Sequence, residues 1–279
     1  MLVYPDAFLR KAQQGGYAVG AFNIENLEMA QAVIAAAEQM RSPVIMQTTP
    51  GTLDYASPKL FAGIVTALAQ DTFVPVILHL DHGNSLTLVQ QAKQAGYTSL
   101  MIDGSRCSFE ENIALTKSAV DLACGVPVEA ELGTVGGKED TQTGTQVYYT
   151  DPQQAEEFVQ RTGISSFAVA IGTSHGFYQG PPKLDFDRLS EIRRRVDIPL
   201  VLHGTSGVPE EQVRQAIRLG ICKVNYATEL RAAYTQAIAE YLAEKKETID
   251  PKKYGRAARD RVTELVCRRI KLCGSEERI

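Results

Sequence analysis

Short apolar runs rich in Val, Ile and Leu recur roughly every 25–35 residues, and polar segments with Leu, Ala and Val at helical spacing fill the gaps. The pattern predicts a βα repeat. The strand candidates are Tyr17–Ile24, Pro43–Gln47, Pro75–Leu80, Ser99–Ile102, Val126–Glu131, Phe167–Gly172, Pro199–Leu202 and Cys222–Asn225. Their near-continuous apolar character suits parallel strands covered by helices on the outside. Several begin at or just after a proline, where a missing N–H costs the sheet little. Polar helix starts fall between them at Ser57-Pro58, Ser85, Asp151-Pro152 and Pro209-Glu210-Glu211.

Eight such units predict a (β/α)8 barrel, a TIM barrel, occupying residues 1–279 as a single domain. Residues 246–279 form an appended C-terminal segment, with a helix expected over about Lys252–Leu272 packed on the barrel or on a neighbouring subunit. An open doubly wound sheet is the competing architecture, but no Gly-x-Gly-x-x-Gly turn follows the first strand.

Composition narrows the function classes. A net charge of −4 gives no basic surface for nucleic-acid phosphates. The N-terminal stretch carries charges and no long apolar run, so neither a membrane span nor a secretory signal is expected, and the expected location is the cytoplasm. Five scattered cysteines without a Cys-x-x-Cys pair read as reduced and mostly structural.

Barrel enzymes build their sites at the carboxyl ends of the strands. All four histidines of this chain, His79, His82, His175 and His203, fall at predicted strand ends, three of them next to a glycine. Three imidazoles with an open fourth position make a catalytic zinc arrangement. A single such histidine would be an ordinary hydrogen-bonded core residue; the set points to metal. His79 lies three residues before His82, so strand alternation places the two on opposite faces, and His79 is expected to be structural or to support the site indirectly. The segments Gly204-Thr205-Ser206-Gly207 and Asn225-Tyr226-Ala227-Thr228-Glu229 lie where barrels hold phosphate on backbone N–H groups and a helix N-terminus.

The ordered motifs YAVGAFNIEN, SPVIMQTTPGT, LHLDHG, LMIDGS, VEAELGTVGGKED, AVAIGTSHG, PLVLHGTSG, KVNYATEL, DPKKYGRAARD and CGSEERI cover essentially the whole chain. In them the sequence resembles the class II, metal-dependent ketose-bisphosphate aldolases, and most of all their tagatose-bisphosphate branch. The resemblance implies zinc held by His82, His175 and His203, with Asp81 as acid/base on the C4 hydroxyl. It implies Glu139, in the glycine-rich loop GTVGGKEDTQTGTQ, as the group that protonates the enediolate when the loop closes. Asp103 and Glu131 match positions that shape or transiently ligate the metal. Asn23 and Thr49 match contacts to substrate hydroxyls. Gly176, Gly204, Ser206, Asn225 and Thr228 match the dihydroxyacetone phosphate site, with Lys183 assisting. A monovalent cation, Na+ or K+, is implied near Ser174, Gly176 and Gly204.

Two departures from the pattern bear on substrate. Lys252 stands where many relatives carry an arginine that reaches the distal phosphate from the neighbouring subunit, with Arg256 and Arg259 close enough in sequence to compensate. Tyr226-Ala227 replaces an acidic turn of some fructose-specific members. The expected reaction is reversible cleavage of tagatose 1,6-bisphosphate to dihydroxyacetone phosphate and glyceraldehyde 3-phosphate, by a homo-oligomer, dimer or tetramer; some tagatose-branch relatives need a companion subunit for full activity, a requirement the sequence does not report. Fructose 1,6-bisphosphate or another phosphorylated ketose is the alternative within the class. A zinc hydrolase and a non-catalytic subunit are the alternatives outside it.

Overall fold

The computed structural model describes residues 1–139, 142–144, 148–178 and 180–279, with the backbone alone at 138, 139 and 142–144. Eleven strands are present among these residues. They are β1 (Val19–Asn23), β2 (Val44–Thr48), β3 (Val76–Gly83), β4 (Ser99–Ile102), β5 (Val128–Leu132), β6 (Gly136–Glu139), β7 (Gln142–Gly144), β8 (Ser166–Val169), β9 (Ser174–His175), β10 (Leu200–Leu202) and β11 (Ile221–Tyr226). Eight of them close into a parallel barrel in the order β1-β11-β10-β8-β5-β4-β3-β2. The fold is the expected TIM barrel, with helices outside the strands and a long C-terminal helix, Pro251–Cys273.

The helices start where the sequence signals them. Ser57 accepts from Leu60 N, Ser85 from Leu88 N, and Asp151 from both Gln153 N and Gln154 N. Each bond satisfies a backbone donor that the first helical turn leaves open. Pro209 precedes its helix without a side-chain cap. The C-terminal helix packs mainly on the helices Leu27–Met40 and Thr228–Glu244, burying Val262, Leu265, Val266 and Ile270.

Strand alternation sorts the side chains into two environments. On β3, Val76, Leu78 and Leu80 join the core under the helices, while Ile77 joins a second, smaller cluster inside the barrel. That inner cluster includes Val19, Ala21, Ile45 and Cys222, and the N-terminal helix Asp6–Gly15 adds Leu9 and Ala12 to it. The interior turns polar toward the carboxyl ends of the strands. His79, Glu129 and Lys223 are buried there, and Asp81, Asn23, Gln47, Asn225 and His203 follow them in chain direction.

Three short strands lie outside the barrel and outside the expected pattern. β6 pairs antiparallel with β7 and parallel with β9, matching Gly136 to Ser174 and Gly137 to His175. The expected sixth strand therefore ends at Val169, and His175 sits in a separate element. Two-residue strands carry too little pattern to be read from a sequence.

Candidate active site

The site begins with an irregularity in β3. Its pairing with β4 shifts register between Leu80 and Gly83, and His82 adopts a left-handed conformation with φ 47°. A non-glycine residue rarely adopts such a backbone, and where it does the site often depends on it. Asp81 continues the inward series of Ile77 and His79. His82, which alternation alone would send outward, is thereby brought over the barrel mouth beside it. Alternation thus gives the wrong relation for the pair, because it does not hold through the bulge.

His82, His175 and His203 converge, with one nitrogen of each lying within 4.8 Å of the others. His203 Nδ1 is 2.9 Å from His82 Nε2, and the rings of His175 and His82 meet edge to face with centroids 5.0 Å apart. A tetrahedral zinc with Zn–N bonds near 2.0–2.1 Å holds its nitrogens roughly 3.4 Å apart, so small rotations of these rings suffice to enclose the ion. The donor set fits.

The supporting contacts also fit. His82 turns its Nδ1 to Asp103 Oδ2 at 2.8 Å, and His203 turns its Nε2 to Glu129 Oε1 at 2.9 Å. Each carboxylate fixes the tautomer that leaves the other nitrogen facing the centre. Burial holds the His203 pKa below its ordinary value against the opposing pull of Glu129, and so favours the neutral, ligating form. Burial would raise the Asp103 carboxyl, but its contacts with His82 and its hydrogen bonds with Ser105 together outweigh it and keep the acid well below the usual carboxylate range. Glu131 Oε2 lies 3.6 Å from His203 Nδ1.

Beneath this group runs a buried charge network. Lys223 Nζ donates to both Glu129 oxygens at 3.1 and 3.0 Å and lies 3.5 Å from His79 Nε2. His79 Nδ1 meets Ser99 Oγ at 2.7 Å. Burial acts to raise the Glu129 pKa, but the Lys223 ammonium, the hydrogen bond to His203 and the nearby imidazoles together outweigh it and hold the group well below the ordinary value. Burial, reinforced by Lys223, pushes His79 well below its own. His79 therefore belongs to the layer under the trio, joined to it through Lys223 and Glu129.

Asp81 is 1% exposed and accepts hydrogen bonds from three side-chain amides. Gln47 Nε2 and Asn23 Nδ2 donate to Oδ2 at 3.0 and 3.5 Å, and Asn225 Nδ2 donates to Oδ1 at 3.1 Å.

The phosphate-type turns lie across the mouth, after β10 and β11. Gly204 has φ 63°, and a Cβ there would stand 2.7 Å from the Ser174 carbonyl carbon. Tyr178 Oη donates to Gly204 O at 2.7 Å and accepts from Ser174 N at 2.8 Å, tying the two turns together. Ser206 Oγ accepts from Glu229 N at 3.4 Å, and Thr228 opens the helix that follows β11. Gly176 is also left-handed, at φ 87°.

A pocket opens from the histidines over the other half of the mouth, lined by Thr49, Asn84, Asp103, Ser105, Arg106, Glu131, Thr134, Gly137 and His175 among others. Not every expected residue reaches it. Lys183 is exposed, and its backbone carbonyl packs over Gly172. Lys252 pairs with Asp250 at 2.8 Å, Arg256 is exposed, and Arg259 donates to Gln31 at 3.4 Å, all away from this pocket in the chain's own fold. The Glu139 side chain and the rest of its loop, residues 140–141 and 145–147, lie outside the described residues.

Sequence reasoning passed over Gln47, Lys223, Tyr178 and Arg106. Lys223 left a readable signal, a lone lysine inside the apolar run ICKVNY; the others left none without the barrel register.

A closed parallel barrel with three convergent imidazoles able to hold a metal ion and a neighbouring buried carboxylate defines a barrel enzyme with its site at the carboxyl ends of the strands. The profile of the class II fructose-bisphosphate aldolases matches residues 5–278, and the chain belongs to that family. Among solved structures, the YdjI aldolase from Escherichia coli K12 is 41% identical, with a TM-score of 0.89 over 100% of this chain and 99% of that one. A protein of Coccidioides immitis assigned as a fructose-1,6-bisphosphate aldolase is 30% identical, with a TM-score of 0.90 over 98% and 96%. The fructose-bisphosphate aldolase of Campylobacter jejuni, 23% identical, shares the fold with a TM-score of 0.85 over 100% and 97%. The protein is an aldolase, a carbon–carbon lyase, which sets aside the hydrolase and non-catalytic readings.

Proposed function

We propose that the chain is a zinc-dependent aldolase that cleaves tagatose 1,6-bisphosphate reversibly to dihydroxyacetone phosphate and glyceraldehyde 3-phosphate. The observation that carries the reading is Asp81, a buried carboxylate held by three amides one residue from a histidine of the metal-ready trio. When bound by His82, His175 and His203, zinc supplies a Lewis acid for the negative charge that develops on the ketose carbonyl oxygen.

The protein groups divide the remaining work. Asp81 takes the C4 hydroxyl proton as the C3–C4 bond breaks, which requires a base within hydrogen-bond reach. Asn23, Thr49 and Asn225 orient hydroxyls. Gly176, Gly204, Ser206 and Thr228 seat the C1 phosphate on backbone N–H groups, and a monovalent cation near Ser174, Gly176 and Gly204 balances its charge. Asp103 and Glu131 orient or exchange with the metal ligands. Glu139 returns a proton to C3 of the three-carbon enediolate, the former C3 of the ketose. The enzyme works as a homo-oligomer, with a companion subunit as a further requirement to be tested. Among the described residues no helix is long and apolar enough to cross a membrane.

Fructose 1,6-bisphosphate is the second reading, favoured by the assignment of the Coccidioides immitis relative. Incubating the purified protein with each bisphosphate and measuring both triose products separates the two. The tagatose substrate should win by roughly tenfold or more in kcat/KM. A reversed preference assigns the enzyme to fructose, and cleavage of neither overturns the bisphosphate reading.

A further inference from the structure

The mouth of the barrel has a phosphate side and an opposite side, and the opposite side carries a single unused cation among the described lining residues. In the ring order, β4 lies four strands from β11 in either direction, and β3 lies four from β10. The turns after β10 and β11 therefore stand across the barrel axis from the loops after β3 and β4. The pocket that leaves the histidines runs over that far half, and Arg106, on the loop after β4, is the one Lys or Arg among its described lining residues.

That loop is firmly tied to the site. Ser105 N donates to Asp103 Oδ1 at 3.0 Å, and the other oxygen of Asp103 holds His82. Thr134 Oγ1 donates to Ser105 O at 3.2 Å, and Cys107 N closes a turn on Gly104 O at 2.9 Å. Asn112 packs against Gly104 so closely that any side chain there would collide with its amide oxygen. The backbone under Arg106 is thus set relative to the metal ligands. Its exposed guanidinium makes no hydrogen bond or ion pair with any described residue. An arginine at the rim of a pocket, with its fork unpaired, suits a planar or tetrahedral oxyanion.

We propose that Arg106 is the specificity residue for the far end of the substrate, taking an anionic group, phosphate or carboxylate, at the end of the aldehyde half. A ketose seated by its C1 phosphate near Gly204 and Ser206 extends past Asp81 toward the loop after β4, which brings its last carbon to Arg106. The role is filled from within the same chain, whereas Lys252 lies outside the pocket, on the surface beside Asp250. This inference rests on the proposed retro-aldol reading.

The test runs the reaction in the direction of condensation, with dihydroxyacetone phosphate and three aldehydes: glyceraldehyde 3-phosphate, a carboxylate-terminated aldehyde of similar length, and neutral glyceraldehyde. The wild type should prefer one of the anionic aldehydes, and which one identifies the group. In Arg106→Ala the ratio of kcat/KM for that aldehyde over the neutral one should fall on the order of 10- to 100-fold, with Arg106→Lys recovering part of it. An unchanged ratio, including one in which both values drop together, overturns the role of Arg106. A wild type that takes charged and neutral aldehydes alike also overturns it, while leaving the aldolase reading intact. A wild type that condenses none of the three overturns the underlying reading itself.

Discussion

His203→Ala should leave the protein folded but essentially without bound metal, and turnover should fall by roughly 1,000-fold or more. The size follows from the chemistry: a Lewis acid contributes several kcal/mol of charge stabilisation, and each 1.36 kcal/mol is a factor of ten. His203 is fully buried, with one nitrogen on Glu129 and the other facing His82, so its loss removes one of the three convergent imidazoles. The loss also leaves Glu129 its Lys223 partner, which spares the network below from an unpaired charge. Metal analysis of the purified variant checks the first part and a cleavage assay the second. Stoichiometric metal with full turnover in this variant would remove His203 from the ligand set.

Asp81→Asn should behave differently, keeping its metal while losing turnover by on the order of 100-fold or more. The substitution keeps size and shape but cannot accept the C4 proton. The surroundings can absorb it. Gln47 Oε1 and Asn225 Oδ1 have no hydrogen-bond partner among the described residues, so the new amide NH2 finds an acceptor once either neighbour rotates. Stability and substrate affinity should therefore change little, and the defect should sit in kcat. Metal lost along with activity would make Asp81 a ligand instead of a base.

The contrast between these two variants shows what the sequence made legible. The eight barrel strands could be read because parallel strands buried on both faces leave uninterrupted apolar runs, and Pro75–Leu80 or Ser99–Ile102 show them plainly. The trio could be read because histidine is rare here and each member falls at or shortly after a predicted strand. What alternation could not supply was the turn at His82, where a register shift and a positive φ bring an outward position to the mouth. The small sheet that seats His175 was equally hidden, since its pairing depends on Gly137, where a side chain would strike the His175 carbonyl. Lys223 and Glu129 illustrate a third limit. Their inward direction depends on strand phase, and an ion pair inside a barrel is visible only once that phase is known. Arg106 looks like any loop arginine until the ring order places it across from the phosphate turns.

The measurement that tests the account most directly is cleavage of a ketose bisphosphate by protein stripped with a chelator and then titrated with zinc. Cleavage should be lost on stripping and recover in proportion to zinc bound, reaching the full rate at one ion per chain. Full turnover by the metal-free protein would contradict it.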